Sequence, residues 1–334
     1  MFRPRNRAAG AVLLMVVILI LTACSATGGK RAAEQAQIVA AGHASTPHYT
    51  VAMITHAGPG QSFWDIERNG GLAAAAKDNL TLRYSADPDP TKQATLIQDA
   101  INSHVNAIAV TDPNPGALCP TIGKAKAAGI PVAMFNAGSG NWQQCGAMEY
   151  FGQDETIAGV AAGKRLASES AKHVLCVLHV QGQIQLEDRC AGVKQGLGSE
   201  GTMSKLYVNG QSPPDELSTM TAALTKDKSV DAVITLDAQV ALIALQAMQQ
   251  AHSTAKLSTF DTNSASIAKI KSGAIRWAVD QQPYLQGYEA IDSLWLYLTN
   301  GNILGGGQPV LTGPSFIDAA NVAQVAQYAA RGTR

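Results

Sequence analysis

The chain has 334 residues, 25 basic and 25 acidic side chains, and a formal net charge of zero. That length accommodates two domains of ordinary size, and setting aside Arg3, Arg5 and Arg7 leaves the remainder at −3, with no electrostatic footprint for nucleic acid. Aromatics are few (5%) and glycines many (31), as in α/β proteins whose helices pack closely on sheets.

Residues 1–23 read as a secretory leader. Arg3, Arg5 and Arg7 precede an apolar run over 11–21, and small residues follow in Leu21-Thr22-Ala23-Cys24. The apolar run is shorter than the roughly 20 residues a spanning helix needs. Cysteine directly after Leu-Thr-Ala resembles the bacterial lipobox, which implies lipidation of Cys24 and a body held at the outer face of the cytoplasmic membrane. Residues 24–47 are rich in Ala, Gly, Gln and Ser without an apolar period and are expected to form a flexible tether.

The fold is expected to start with a strand over 49–54 that ends in His56-Ala-Gly-Pro-Gly-Gln61. A helix over 63–78, a strand over 80–84, a helix over 92–103, a strand within 104–112, a helix over 116–128 and a strand over 130–135 follow. Such alternation with short links predicts a right-handed parallel sheet covered on both faces. Gly, Ser, Asn and Trp142 break the rhythm over 136–147, and the first crossing between lobes is placed there. The second lobe is expected to hold strands over 147–151, 173–179, 203–208, 230–237, 256–260 and 275–279. Its helices are read over 155–170, 187–197, 216–226, 239–252 and 264–271. A helix over 284–298 returns to the first lobe, the chain crosses again near Thr312, and a helix over 319–330 closes the second. The expected class is therefore α/β: two similar doubly wound parallel-sheet lobes, 48–136 plus 283–312 and 137–282 plus 313–334, joined by three crossovers.

An internal repeat supports two lobes. His104-Val-Asn-Ala-Ile-Ala-Val-Thr-Asp112 aligns without a gap on Val230-Asp-Ala-Val-Ile-Thr-Leu-Asp237, with Val105 on Val230, Asn106 on Asp231 and Asp112 on Asp237. Each is an apolar run turning polar at its carboxyl end, where open α/β sheets place their ligands.

Polar side chains cluster at these strand ends: Gln61, Asn114, Asn136, Asp237, Asp261 and Gln281. Singly, each is an ordinary turn or cap residue. Together they suit a hydroxyl-rich ligand, because a carboxylate accepts from two vicinal hydroxyls while an amide both donates and accepts. Arg189 adds a rigid fork of donors, unless it pairs with Glu187 or Asp188. Consecutive Phe63 and Trp64 cannot share one helix face, so at least one is expected to point into the cleft and cover the C–H face of a sugar. Trp142 is a weaker candidate for the opposite wall.

Cys119, Cys145, Cys176 and Cys190 are an even set in an exported chain and permit three pairings. Cys119–Cys145 and Cys176–Cys190 are favoured because they close short loops. No Cys-x-x-Cys or histidine spacing suggests zinc, and no metal or cofactor is expected. There is no G-x-S-x-G elbow, Walker loop or strand-linked G-x-G-x-x-G, which argues against an enzyme.

These features resemble the periplasmic sugar-binding proteins of the ribose-binding type, substrate-binding subunits of ABC importers. The resemblance covers about 50–316. It rests on Ser62-Phe63-Trp64, Thr111-Asp-Pro-Asn114-Pro-Gly-Ala-Leu118, Arg189-Cys-Ala-Gly192, Asp237 before Val240-Ala-Leu, Phe260-Asp261 and Gln281-Gln-Pro283. It implies a monomeric, lipid-anchored receptor in which the aromatics sandwich a sugar or polyol and Asp, Asn, Arg and Gln bind its hydroxyls. The implied partners are the cargo and the permease subunits. The alternative is a sugar-sensing co-receptor for a histidine kinase or chemoreceptor that uses the same cleft.

Overall fold

The computed structural model describes residues 46–334. The expected leader over 1–23, the lipidation site Cys24 and the tether as far as residue 45 lie outside the described residues. The first lobe begins with β1 (Tyr49–Thr55), α1 (Ser62–Lys77), β2 (Leu80–Ala86), α2 (Pro90–Asn102) and β3 (Ala107–Val110). It continues with α3 (Pro115–Ala127), β4 (Val132–Phe135), the single turn α4 (Trp142–Cys145) and β5 (Glu149–Gly152). The second lobe runs through α5 (Glu155–Ser168), β6 (His173–Leu178), α6 (Ile184–Leu197), β7 (Thr202–Tyr207), α7 (Pro213–Lys226) and β8 (Ala232–Thr235). Then come α8 (Ala238–Gln250), β9 (Lys256–Phe260), α9 (Ser264–Lys271) and β10 (Trp277–Asp280). Helix α10 (Pro283–Asn300) and strand β11 (Val310–Leu311) return to the first lobe, while β12 (Ser315–Asp318) and α11 (Val322–Ala329) belong to the second.

The two sheets have matching orders, β11-β5-β4-β3-β1-β2 and β12-β10-β9-β8-β6-β7. The repeat strands β3 and β8 therefore hold equivalent central places. Their aligned polar residues do the same job: Asn106 accepts from the Thr50 N–H and Asp231 from the His173 N–H, at 2.8 and 3.0 Å. All pairings are parallel except that between β10 and β12. Strands β3, β4 and β8 are buried along their whole length, as a doubly covered sheet requires. Ile54, Ile97, Ile108, Leu118 and Ile122 pack on one side of the first sheet, and Met53, Phe135, Phe151, Ile291 and Leu294 on the other.

Helix starts follow local chemistry. Asp89, Asn114, Asp154 and Asp237 each accept backbone N–H groups in the first turn of α2, α3, α5 and α8, and Asn263 forms a capping box with Ser266. Each lobe also contains one very close helix pair. A Cβ at Gly287 would lie 2.0 Å from the Glu67 carbonyl oxygen, locking α10 onto α1. Cβ atoms at Gly159, Gly163, Gly192 and Gly196 would all fall within 2.7 Å of carbonyl oxygens across the α5/α6 contact.

Two expectations are corrected. The segment 136–147 does not leave the first lobe: β5 pairs with β4 in the first sheet, and the crossing comes at Gln153–Asp154. The irregular segment turns back because Cys145 in α4 is bonded to Cys119 in α3. The second sheet also ends in an antiparallel edge strand, β12, too short to show a period in the sequence. Cys176 and Cys190 form the other disulfide.

Candidate functional site

The carboxyl ends of both sheets face one cleft between the lobes. Eight of the nine ligand residues expected from the sequence line it: Gln61, Phe63, Trp64, Asn136, Arg189, Asp237, Asp261 and Gln281. Asn114 does not. Its side chain accepts from the Ala117 N–H and caps α3. Its neighbour Asp112 is fully buried against the Cys119–Cys145 disulfide, away from the cleft. Trp142 belongs to the first-lobe core.

The first-lobe wall is built from the start of α1. Gln61 accepts from the Gly58 N–H at 2.8 Å and from Trp64 Nε1 at 3.0 Å, so its NH2 group is free to face a ligand. Trp64 stands edge-on to both His56 and Phe63, at 4.5 and 5.2 Å between centroids. The second lobe supplies Val180, Leu186 and Leu236 as its apolar wall, with no Phe, Tyr or Trp among its described lining residues.

Asn136 and Asp261 are equivalent residues, each directly after the phenylalanine that ends β4 or β9. Both adopt left-handed backbone, φ 61° and 63°, a conformation that Asn and Asp tolerate better than most residues. Their N–H groups reach Phe151 and Val279 across the sheet, and their side chains turn toward the crossovers. Asn136 donates to Gln281 and Gln286 at 3.3 and 3.2 Å. Gln281 donates to Asp261 at 2.7 Å, and Gln286 donates to Thr312 at 3.0 Å. Amides thus connect the cleft floor to the second and third crossovers.

Arg189 is not paired with Glu187 or Asp188. Its Nε and Nη2 grip Glu155 at 2.6 and 3.0 Å, and Nη1 donates to the Leu236 carbonyl at 3.0 Å. Asp261 lies 3.5 Å from Nη1. Burial works against the guanidinium charge, but Glu155 and Asp261 outweigh it and raise its pKa. Asp261 is itself pushed up to about 7, first by burial and further by Asp237, against the pull of Arg189. Glu67, behind Asn136 on α1, has no exposure and no hydrogen-bond partner on either carboxyl oxygen. Burial and then Asp261 raise its pKa well above the ordinary value.

Sequence reasoning missed His56, His179, Gln183, Gln185 and Gln211. His56 and His179 follow the equivalent strands β1 and β6, so extending the internal repeat to those strands would have found them. His56 Nδ1 lies 2.7 Å from Thr111 Oγ1, and its Nε2 is 3.2 Å from Gln185 Nε2. Burial, then His179 and Arg189, lower its pKa to about 3.

That contact also joins the lobes, which are closed on each other. Gln239 reaches the Gly60 carbonyl at 3.2 Å and the Ile184 N–H reaches Pro113 at 3.2 Å. Asp112, Cys119 and Cys145 form the one cluster of three metal-type ligands among the described residues. Both sulfurs are spent in the disulfide, which leaves a single carboxylate.

A two-lobed cleft of this construction matches the periplasmic binding protein domain over residues 51–302. The chain belongs to that family. A carbohydrate transporter from Acidothermus cellulolyticus 11B, solved in complex with myo-inositol, is 59% identical, with a TM-score of 0.85 over 86% of this chain and 100% of that one. A periplasmic ribose ABC transporter from Conexibacter woesei is 22% identical, with a TM-score of 0.72 over 87% of this chain and 98% of that one, and shares the fold. The xylose/arabinose-binding protein XylF of Sulfolobus acidocaldarius is 24% identical over 257 residues. That match covers 71% of this binding protein and 63% of the relative's length.

Proposed function

We propose that this periplasmic binding protein is an exported, lipid-anchored receptor that closes over a sugar or polyol and delivers it to an ABC importer. The observation that carries the reading is the convergence of Gln61, Asn136, Asp237, Asp261 and Gln281 beside Trp64 in one cleft between two lobes. Acceptors and donors at that density match a ligand that carries hydroxyls all round a ring, and the indole covers its C–H face. Myo-inositol is the first candidate, because the 59% identical relative was solved with it. The receptor acts as a monomer, and Cys24 carries the lipid.

Closure follows from a ligand that touches both lobes, since equal affinity for open and closed forms shifts nothing. A thermal-shift screen of residues 48–334 against pentoses, hexoses, deoxysugars and polyols tests this. Native-state binding raises the melting temperature by mass action. A shift with one or two of these compounds, lost in Asp237→Ala and Asp261→Ala, is expected. No shift with any of them overturns the reading.

A further inference from the structure

The charges of the cleft do not cancel. Arg189 is the one cationic side chain lining it among the described residues. That cation is already committed to both oxygens of Glu155 and to the Leu236 carbonyl. Burial opposes charge on His56 and His179 and lowers both their pKa values. Against them stand Asp237 and Asp261. Asp237 spends Oδ1 on the Gln239 and Val240 N–H groups, and Oδ2 has no protein donor among the described residues. Asp261 takes one bond from Gln281, and its second oxygen stands at 3.5 Å from a guanidinium engaged elsewhere. A third open acceptor is Gln185 Oε1, which has no partner although the residue is only 5% exposed and lines the cleft. Open donors line it as well, in the side-chain amides of Gln61, Gln183 and Gln211, and the His179 ring has no partner among the described residues.

A hydroxyl brings one hydrogen to such a site, whereas an ammonium brings three hydrogens and a charge. A phosphate or carboxylate brings acceptors and a negative charge to a site whose only cation is occupied. We propose that the cleft takes a polyol or sugar carrying one protonated amine, held by Asp237, Asp261 and Gln185, and rejects anionic derivatives of the same ring. This deepens the polyol-receptor reading and rests on it.

The test is a calorimetric titration of the protein at pH 8, where Asp261 is ionised, with three probes of one ring: myo-inositol, an inositol with one hydroxyl replaced by a primary amine, and myo-inositol 1-phosphate. The amine is expected to bind at least as tightly as myo-inositol, and the phosphate at least 100-fold more weakly. In Asp261→Asn the amine-to-hydroxyl affinity ratio is expected to fall tenfold or more. That ratio isolates charge from general damage to the cleft. Normal binding of myo-inositol with the amine 100-fold weaker overturns this inference and leaves the receptor reading standing. No binding by any probe, or by the wider sugar panel, overturns both. Because the ligand series is read on the unaltered protein, poor folding of the variant does not remove the test.

Discussion

Arg189 lines the cleft and is also a structural residue. It and Glu155 are each 3% exposed and grip each other bidentately, so removing Glu155 leaves a buried charge. Glu155→Ala is expected to cost about 3–5 kcal/mol of stability in denaturant unfolding. Arg189→Lys keeps the charge but loses the fork, so ligand affinity should fall by more than tenfold in calorimetry. Elsewhere, buried acids tie stability to pH. Burial pushes the Asp112 and Glu216 carboxyls up to about 7, while the unfolded chain titrates them near 4. The folded state therefore binds their protons more tightly, and stability falls as pH rises from about 4 to 7, with the penalty complete above 7. Asp112→Asn and Glu216→Gln should each raise the melting temperature at pH 8 and leave it unchanged at pH 4. A stabilisation at pH 4 equal to that at pH 8 would contradict this cause.

The paired helices depend on glycine for a reason that spacing does not reveal. In α5 and α6 the backbones touch, and Gly192→Ala places a methyl 2.7 Å from the Thr156 carbonyl oxygen. A cost of about 1–3 kcal/mol is expected, as for other overpacked cores, together with weaker ligand binding because Arg189 sits one turn away on the same helix. Gly123 in α3 is the contrast. Its nearest neighbour would be 3.8 Å from an added methyl, so Gly123→Ala should stabilise by about 0.5–1 kcal/mol through helix propensity. Urea midpoints of the two variants should move in opposite directions. Legibility divides along similar lines. Helices α2 and α7 and strands β3 and β8 announced themselves by period and by repeat. Strands β11 and β12 and the turn α4 are two to four residues long and have no period to read. The first crossing was misplaced because the 136–147 loop resembles a linker, whereas Gln153–Asp154 is only a break between β5 and α5. Of the site, Asn136, Asp237 and Asp261 were visible as polar strand ends. Asn114 shares that appearance but spends its side chain on a cap, His56 needed the repeat to be extended to β1 and β6, and Gln185 sits in no recurring pattern of residue types.

At the scale of the molecule, the internal duplication gives two lobes whose strand ends meet, and small interlobe contacts are made in the closed form. Gln185 to His56 and Gln239 to Gly60 are such contacts. They form only where the lobes touch, so Gln239→Ala should weaken the ligand several-fold without lowering the melting temperature of the ligand-free protein. Small-angle scattering should show the radius of gyration shrinking when ligand is added. The account's central claim is that this closed cleft is organised around a polyhydroxylated ring. Calorimetric titration of residues 48–334 with myo-inositol, alongside the Asp237→Ala variant, tests it most directly. The account predicts a single site with a Kd near micromolar, about −8 kcal/mol, abolished in the variant. Equal binding by the variant, or no heat from myo-inositol or any other neutral sugar or polyol, would contradict it.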